Sequence, residues 1–244
     1  MSYNFINWKF IHVSSVSSTM DEIKKNEFDK HKKIALLADE QLKGRGTKSN
    51  NWISEKGNFF LSLRLNKIVS NKLFIFPYIV GIVIYDVLKQ YSLNEKKLFL
   101  KWPNDVFLNN KKIAGVLIET YSSGNLIENI VIGIGINLKK TPKGLEKKST
   151  NLLTETKREI DRKSILENIL RFYDIWEEKL LSLEIESILE DWMKRSYPIN
   201  TRITFKINKG KVLKGNFLGI NSDGSIKIMA EGSIQNHLNL EVVN

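Results

Sequence analysis

Lys101-Trp-Pro-Asn-Asp105, with Lys112-Ile-Ala-Gly115 beginning seven residues after the aspartate, gathers a carboxylate, a carboxamide and two ammonium groups on a short stretch of chain. Asp105 can hold a hard cation such as magnesium, which takes oxygen ligands and usually arrives with nucleotide phosphates. Asn104 can both donate and accept. Lys101 and Lys112 can neutralise a carboxylate or a phosphate as point charges. Gly115 allows close approach of a ligand to strand backbone. A single lysine on a hairpin is normally a solvated residue. The whole ordered run argues for more, because Trp-Pro-Asn-Asp has no evident packing purpose.

The elements that must hold these groups are legible. Trp102 precedes proline and so avoids the helical region. Val106-Phe-Leu108 reads as a short strand, Asn109-Asn110 as a hairpin turn, and Lys112 to Glu119 as the returning strand. Upstream, Lys9–Val13 and Lys33–Ala38 read as strands. Ser14 to Thr19 is a polar turn, and Ser18-Thr-Met-Asp21 is a capping-box-like start to a helix reaching about Phe28. A polar loop over 41–51 precedes an alternating strand from Phe59 to Leu65. The apolar run from Leu73 to Leu88 predicts a buried helix, too short to span a bilayer. Ser123-Gly-Asn125 predicts a turn and Asn129–Leu138 a central strand. Residues 139–151 form a lysine-rich loop with Pro142 and Gly144, a length that suggests a lid. Amphipathic helices follow over Lys163–Ser182 and about Glu184–Arg195. At Tyr197-Pro198-Ile-Asn200 the pattern changes to short strands broken by Asn208-Lys-Gly210 and Ser222-Asp-Gly224. These features predict an α+β chain, with a mixed β-sheet packed with helices. They divide it into domains over residues 1–197 and 198–244.

The chain has 244 residues, an apolar fraction of 42% that suffices for a core, and no cysteine for a disulfide or thiolate metal site. The N-terminus lacks a signal-peptide pattern, which suits a cytoplasmic protein without a membrane anchor. A net charge of +11 points to an acidic partner or nucleic acid, although lysines scattered through helices and loops also arise from compositional bias. His12, His31 and His237 are dispersed, and no zinc-type spacing occurs.

The run KWPNDVFLNNKKIAGVLIE resembles the biotin protein ligases, which attach biotin to a lysine of a carboxylase carrier domain. Three further segments match in order. Gln41-Leu-Lys-Gly44-Arg45-Gly46 with Asn51-Trp52-Ile-Ser54 is similar to their glycine-arginine loop. Gly57-Asn58-Phe-Phe60-Leu-Ser62 is similar to a G-x-N-L-Y-x-S strand, with Phe60 for tyrosine. Val131-Ile-Gly133-Ile-Gly135-Ile136-Asn137 is similar to a G-x-G-I-N strand. The resemblance covers about residues 5–244. It implies the catalytic fold shared by biotin and lipoate ligases, similar to class II aminoacyl-tRNA synthetases, with a small C-terminal SH3-like β-barrel. It also implies an activity: ATP and magnesium activate biotin as biotinyl-5′-AMP, and the biotin passes to the carrier lysine. A monomer or a homodimer is compatible with this. With the first strand near Lys9, the DNA-binding domain of some relatives is not expected.

By that resemblance Ser18, Thr19, Gln41, Phe60, Ser62 and Gly115 contact biotin. Arg45 and Lys112 serve its carboxylate and then the adenylate phosphate, as the catalytic cations. Lys101, Asn104, Asp105, Gly133, Ile136 and Asn137 join Arg45 and Lys112 around ATP, with Asp105 on the metal. Local alternatives stand beside these roles: helix capping for Ser18 and Thr19, an ion pair with Asp105 for Lys101, and strand packing for Gly133 and Gly135. Trp52 reads as a packing residue without a ligand role. The chain departs from the family at Met20, where asparagine is frequent, and at Thr47-Lys-Ser-Asn50, where two arginines and a glycine of the loop are replaced. Other readings are a lipoate–protein ligase with a similar N-D…K hairpin, and a non-enzymatic basic RNA-binding protein. The latter needs exposed aromatics among its basic residues.

Overall fold

The computed structural model describes residues 7–25, 27, 31–47, 50–66, 73–91, 93, 97–123, 126–182, 185–207 and 211–243. In chain order the elements begin with β1 (Lys9–Val16), α1 (Thr19–Glu22), β2 (Lys33–Gln41), β3 (Phe59–Asn66), α2 (Phe76–Lys89), β4 (Leu98–Lys101), β5 (Asp105–Leu108), β6 (Lys111–Ser123) and β7 (Leu126–Ile136). They continue with α3 (Leu152–Thr156), α4 (Arg162–Ser182), α5 (Ile185–Met193), β8 (Arg202–Lys206), β9 (Val212–Ile220), β10 (Ile226–Ala230), β11 (Ser233–His237) and β12 (Glu241–Val243). The chain forms two compact units, Met1–Leu73 with Leu108–Ser164, and Phe74–Phe107 with Ile165–Asn244.

In the first unit the strands lie in the order β1-β2-β3-β7-β6. β1 and β2 are parallel and the remaining pairs antiparallel, so the sheet is mixed. Register aligns Val13, Ala38, Phe60, Gly135 and Gly115 in one row across it. Ile11, Leu36, Ser62, Gly133 and Leu117 form the row two residues along. Side chains alternate between faces with a period of two, so both rows share a face. α1 lies on that face, burying Met20 and Ile23 against Ile34, Leu36 and Val131.

α1 is one turn long where a helix to about Phe28 was expected, residues 26 and 28–30 lying outside the described ones. The buried Arg64 guanidinium donates to the carbonyls of Ile23 and Lys25, both at 3.2 Å, and so holds the chain where it leaves α1. The turn between β5 and β6 is as expected: Asn109 and Asn110 have φ 52° and 59°, the left-handed pair that suits a two-residue hairpin.

The segment 139–151 is not an open lid. Asn58 Oδ1 accepts the amides of Leu138, Lys139 and Lys140, pinning its start. At its end the amide of Lys112 donates to Lys148 O at 2.9 Å, and the amide of Thr150 to Lys112 O at 3.0 Å. Asn151 then caps α3, a helix too short to leave a periodic signal, by accepting from Thr154 N.

In the second unit α2 is buried nearly all round, as its continuous apolar run requires. It packs on α5, with the Trp192 indole against Gly81 and edge-on to Tyr78. Arg195 grips Asp86 through two nitrogens, at 3.0 and 3.2 Å. The tail strands form a five-stranded antiparallel sheet in the order β11-β10-β9-β8-β12, with β11 and β12 as its edges. The Asn221–Ser225 turn forms as expected, Gly224 taking φ 82°. A further tight turn at Glu231-Gly232 was not signalled by a standard turn dipeptide. The expected turn at 208–210 falls on residues outside the described ones, as do residues 124 and 125 of the turn expected at 123–125. Among the described residues no helix is long and apolar enough to cross a membrane.

Candidate active site

A chain of hydrogen bonds crosses the α1 face of the first unit. Ser62 Oγ donates to Thr19 Oγ1 at 2.8 Å, and Thr19 donates to Gln41 Oε1 through both its amide (2.8 Å) and its hydroxyl (2.9 Å). Gln41 Nε2 donates to Ser54 Oγ at 3.1 Å, which in turn donates to Trp52 O at 3.2 Å. Four side chains on α1, β2, β3 and the loop between these two strands thus orient one another. Gly44 makes this possible, since a Cβ there would stand 2.6 Å from Trp52 O and 2.7 Å from Ser54 Oγ. Ser18 occupies the N-cap position of α1, but its side chain makes no capping bond. Its hydroxyl is buried and has no hydrogen-bond partner among the described residues. Capping therefore explains neither Ser18 nor Thr19.

The expected glycines lie on the same face. The Trp52 indole rests on Gly135, where a Cβ would come within 2.5 Å of Cζ2, and touches Gly115. Lys112 Nζ lies 5.4 Å from the Trp52 ring centroid and 3.1 Å from the Cβ position of Gly115. Trp52 is thus a packing residue on the sheet. Its indole contacts Gly135 and Gly115 and has Lys112 over its ring, with its buried Nε1 making no hydrogen bond among the described residues. Gly133 is covered by Met20, whose Sδ would stand 2.5 Å from an added Cβ. Strand packing against Met20 and Trp52 thus accounts for both glycines of β7. Phe60 is core, and Ile136 is also fully buried.

Arg45 sits in a hairpin of the loop, closed by its bridge to Asn51 and by Trp52 N–H donating to Gly44 O at 2.9 Å. Its guanidinium is held by two carboxylates, Asp21 at 2.8 Å and Glu119 at 2.9 Å. Glu119 also binds Lys24 at 2.7 Å. Sequence reasoning gave Asp21 only a helix-capping position and assigned no ligand role to Glu119 or Ser54. The motif positions of Glu119, at the end of the matched hairpin, and of Ser54, at the end of the matched loop, were the signals available.

Asn137 is tied into the backbone. Its amide donates to Ile113 O at 2.8 Å, its Nδ2 to Thr150 O at 3.1 Å, and its carbonyl accepts from Leu152 N at 3.0 Å. Its buried Oδ1 remains without a hydrogen bond among the described residues.

Lys101, Asn104 and Asp105 belong to the second unit. Lys101 is buried, with Nζ 4.6 Å from the Phe107 ring centroid. Trp102 does have a packing purpose. It is buried, and its Nε1 donates to the Tyr78 hydroxyl at 2.9 Å and to Gly224 O at 3.2 Å. Burial raises the Tyr78 pKa well above the usual tyrosine range, keeping the hydroxyl protonated as a donor to Gly224 O. Among the described residues no three His, Cys, Asp or Glu side chains cluster as a ready-made metal site. Asp105 alone suits magnesium, an ion commonly held by one or two carboxylates together with substrate phosphates.

The family model of the biotin/lipoate A/B protein ligases matches residues 12–137. A biotin–[acetyl-CoA-carboxylase] ligase of Paracoccus denitrificans is 28% identical over 200 residues, 78% of this chain and 82% of that protein. A bifunctional ligase/repressor of Bacillus subtilis is 25% identical over 229 residues, 91% of this chain and 69% of its own length. Among solved structures, the biotin protein ligase of Aquifex aeolicus in complex with biotin and ATP superposes with a TM-score of 0.82 at 26% identity, covering 98% of this chain and 100% of that one.

Proposed function

Because the chain belongs to the biotin/lipoate A/B protein ligase family, we propose that it activates biotin with ATP and transfers it to a lysine of a biotin carboxyl carrier domain in the cytoplasm. The biotin carboxylate attacks the α-phosphorus of ATP, releasing pyrophosphate and leaving biotinyl-adenylate. The acceptor amine then attacks the mixed anhydride, and AMP departs. The substrates supply the nucleophiles, so the protein's task is to orient them and to stabilise negative charge on oxygen with fixed donors and cations.

The observation that carries this reading is the aligned chain Ser62–Thr19–Gln41–Ser54 beside the unbonded Ser18 hydroxyl and Trp52 Nε1. A buried polar group left unpaired costs about 1–3 kcal/mol. A small ligand with both donors and acceptors, such as the biotin ureido group, would satisfy these atoms, with its apolar rings against Trp52. Lys112, on the other side of Trp52, suits the carboxylate and then the phosphate. Arg45 joins it by exchanging Asp21 and Glu119 for the ligand anion. Asn137 Oδ1 suits the adenine amino group, while Lys101, Asn104 and Asp105 serve the remaining phosphates and magnesium. Magnesium would neutralise phosphate charge. In this scheme residues 1–197 bind the substrates and 198–244 form the small terminal domain.

Incubation with ATP, magnesium and either biotin or lipoate, with and without a carrier domain, tests the assignment. Pyrophosphate release with biotin alone, and labelling only when the carrier is added, is the expected result. Release with lipoate but not biotin would overturn it.

A further inference from the structure

The 139–148 turn carries five lysines, Lys139, Lys140, Lys143, Lys147 and Lys148, and one acid, Glu146. All six of these side chains are exposed. A run of this kind on a free loop is a solvated face and nothing more. Here the backbone beneath it is fixed at both ends, by Asn58 at its start and by the paired backbone of Lys112 at its end. Inside the turn the amide of Lys148 donates to Leu145 O at 2.9 Å, and that of Leu145 to Pro142 O at 3.1 Å. Glu146 accepts from Gly144 N at 3.0 Å, and hydrogen bonds from its own amide and that of Gly144 hold its carboxyl below the usual range. Its charge is thus engaged locally. Lys139 has a carboxylate 3.7 Å away, in Glu159. Among the described residues Lys140, Lys143, Lys147 and Lys148 have none within ion-pair distance. Leu145, 39% exposed, adds an apolar point in their midst.

The result is a positive surface held next to the backbone of Lys112. From this we infer that the lysine turn is the docking surface for an acidic face of the acceptor protein, which it steers so that the acceptor lysine arrives at the adenylate. The inference rests on the function proposed above. Nucleic acid fits the surface less well, because residues 138–151 contain no aromatic side chain on which a base could stack. Complementary charge raises encounter rates and is screened by salt, with a Debye length of about 10 Å at 0.1 M.

The test is the double substitution Lys143→Glu/Lys147→Glu, with Lys143→Arg/Lys147→Arg as the charge-preserving control. Two rates are read: pyrophosphate release with biotin and ATP alone, and kcat/KM for biotin transfer to an acetyl-CoA-carboxylase carrier domain at rising NaCl. The glutamate variant should release pyrophosphate as wild type does. Its transfer kcat/KM should fall by about tenfold at low salt, and the deficit should close as salt rises. The arginine variant should match wild type in both. Unchanged transfer with an unchanged salt slope would overturn the inference. So would a variant that loses only retention on single-stranded RNA. Absence of pyrophosphate release from wild type would overturn the proposed function, and the inference with it.

Discussion

Trp52 lies directly on Gly135, its Nε1 only 2.9 Å from where a Cβ would stand. The indole is rigid, backed by Gly115 and faced by Lys112, and cannot yield by a simple rotation. Gly135→Ala should therefore cost about 1–3 kcal/mol of stability by overpacking and displace the indole from the site. Calorimetry should show weaker biotin binding together with a lower Tm. An unaltered Tm and affinity would mean that Trp52 does not hold this position in solution.

Lys112→Ala removes a cation whose side chain packs on Trp52 without entering the core. Charge-assisted hydrogen bonds contribute about 1.5–3 kcal/mol, so adenylate formation should slow by roughly ten- to a hundredfold. Pyrophosphate release against biotin concentration reads this directly, and the melting curve should barely move. Wild-type release would remove Lys112 from the chemistry.

Asp105→Asn keeps the shape of the side chain and removes its charge. The magnesium concentration needed for half-maximal pyrophosphate release should rise several-fold, while biotin affinity without ATP stays as in wild type. An identical magnesium titration would assign Asp105 a purely structural role.

Tyr78→Phe deletes the hydroxyl that accepts from Trp102 and donates to Gly224 O. Trp102 keeps its longer bond to Gly224 O, so the loss should be about 1–2 kcal/mol, read as a lower midpoint in urea with an unchanged slope. Wild-type stability would show that the bond is replaced by water.

Asp39 is buried enough to raise its pKa, but hydrogen bonds from His12 and Arg162, and the Arg162 charge, outweigh this and hold the carboxyl below its usual range. A pKa depressed on folding stabilises above the unfolded value, about 3.9, and that contribution is lost as pH falls through the folded one. The Tm gap between wild type and Asp39→Asn should be widest at neutral pH and close as pH falls below the unfolded value and through the folded one. A gap of constant size would mean that the carboxylate charge contributes nothing.

The local features were legible in the sequence for local reasons. Alternation with a period of two marked β3, the Asn109-Asn110 pair marked a left-handed turn, and an unbroken apolar run marked α2 as buried. Of the motif positions, Ser62 and Gly115 share a face of one unit because strand register places them there, while Thr19 and Gln41 reach Ser62 through hydrogen bonds and Lys112 reaches Gly115 through its side chain. What each side chain binds was not legible. Arg45 and Glu119 are 74 residues apart, and Trp102 and Gly224 are 122 apart. Composition and spacing say nothing about such pairs. They exist only once strand order and register have set which residues are neighbours, and a shift of one residue would turn every side chain of a strand to the other face. For the same reason the packing purpose of Trp102 was not evident until the fold was known, since its partners Tyr78 and Gly224 are distant in sequence.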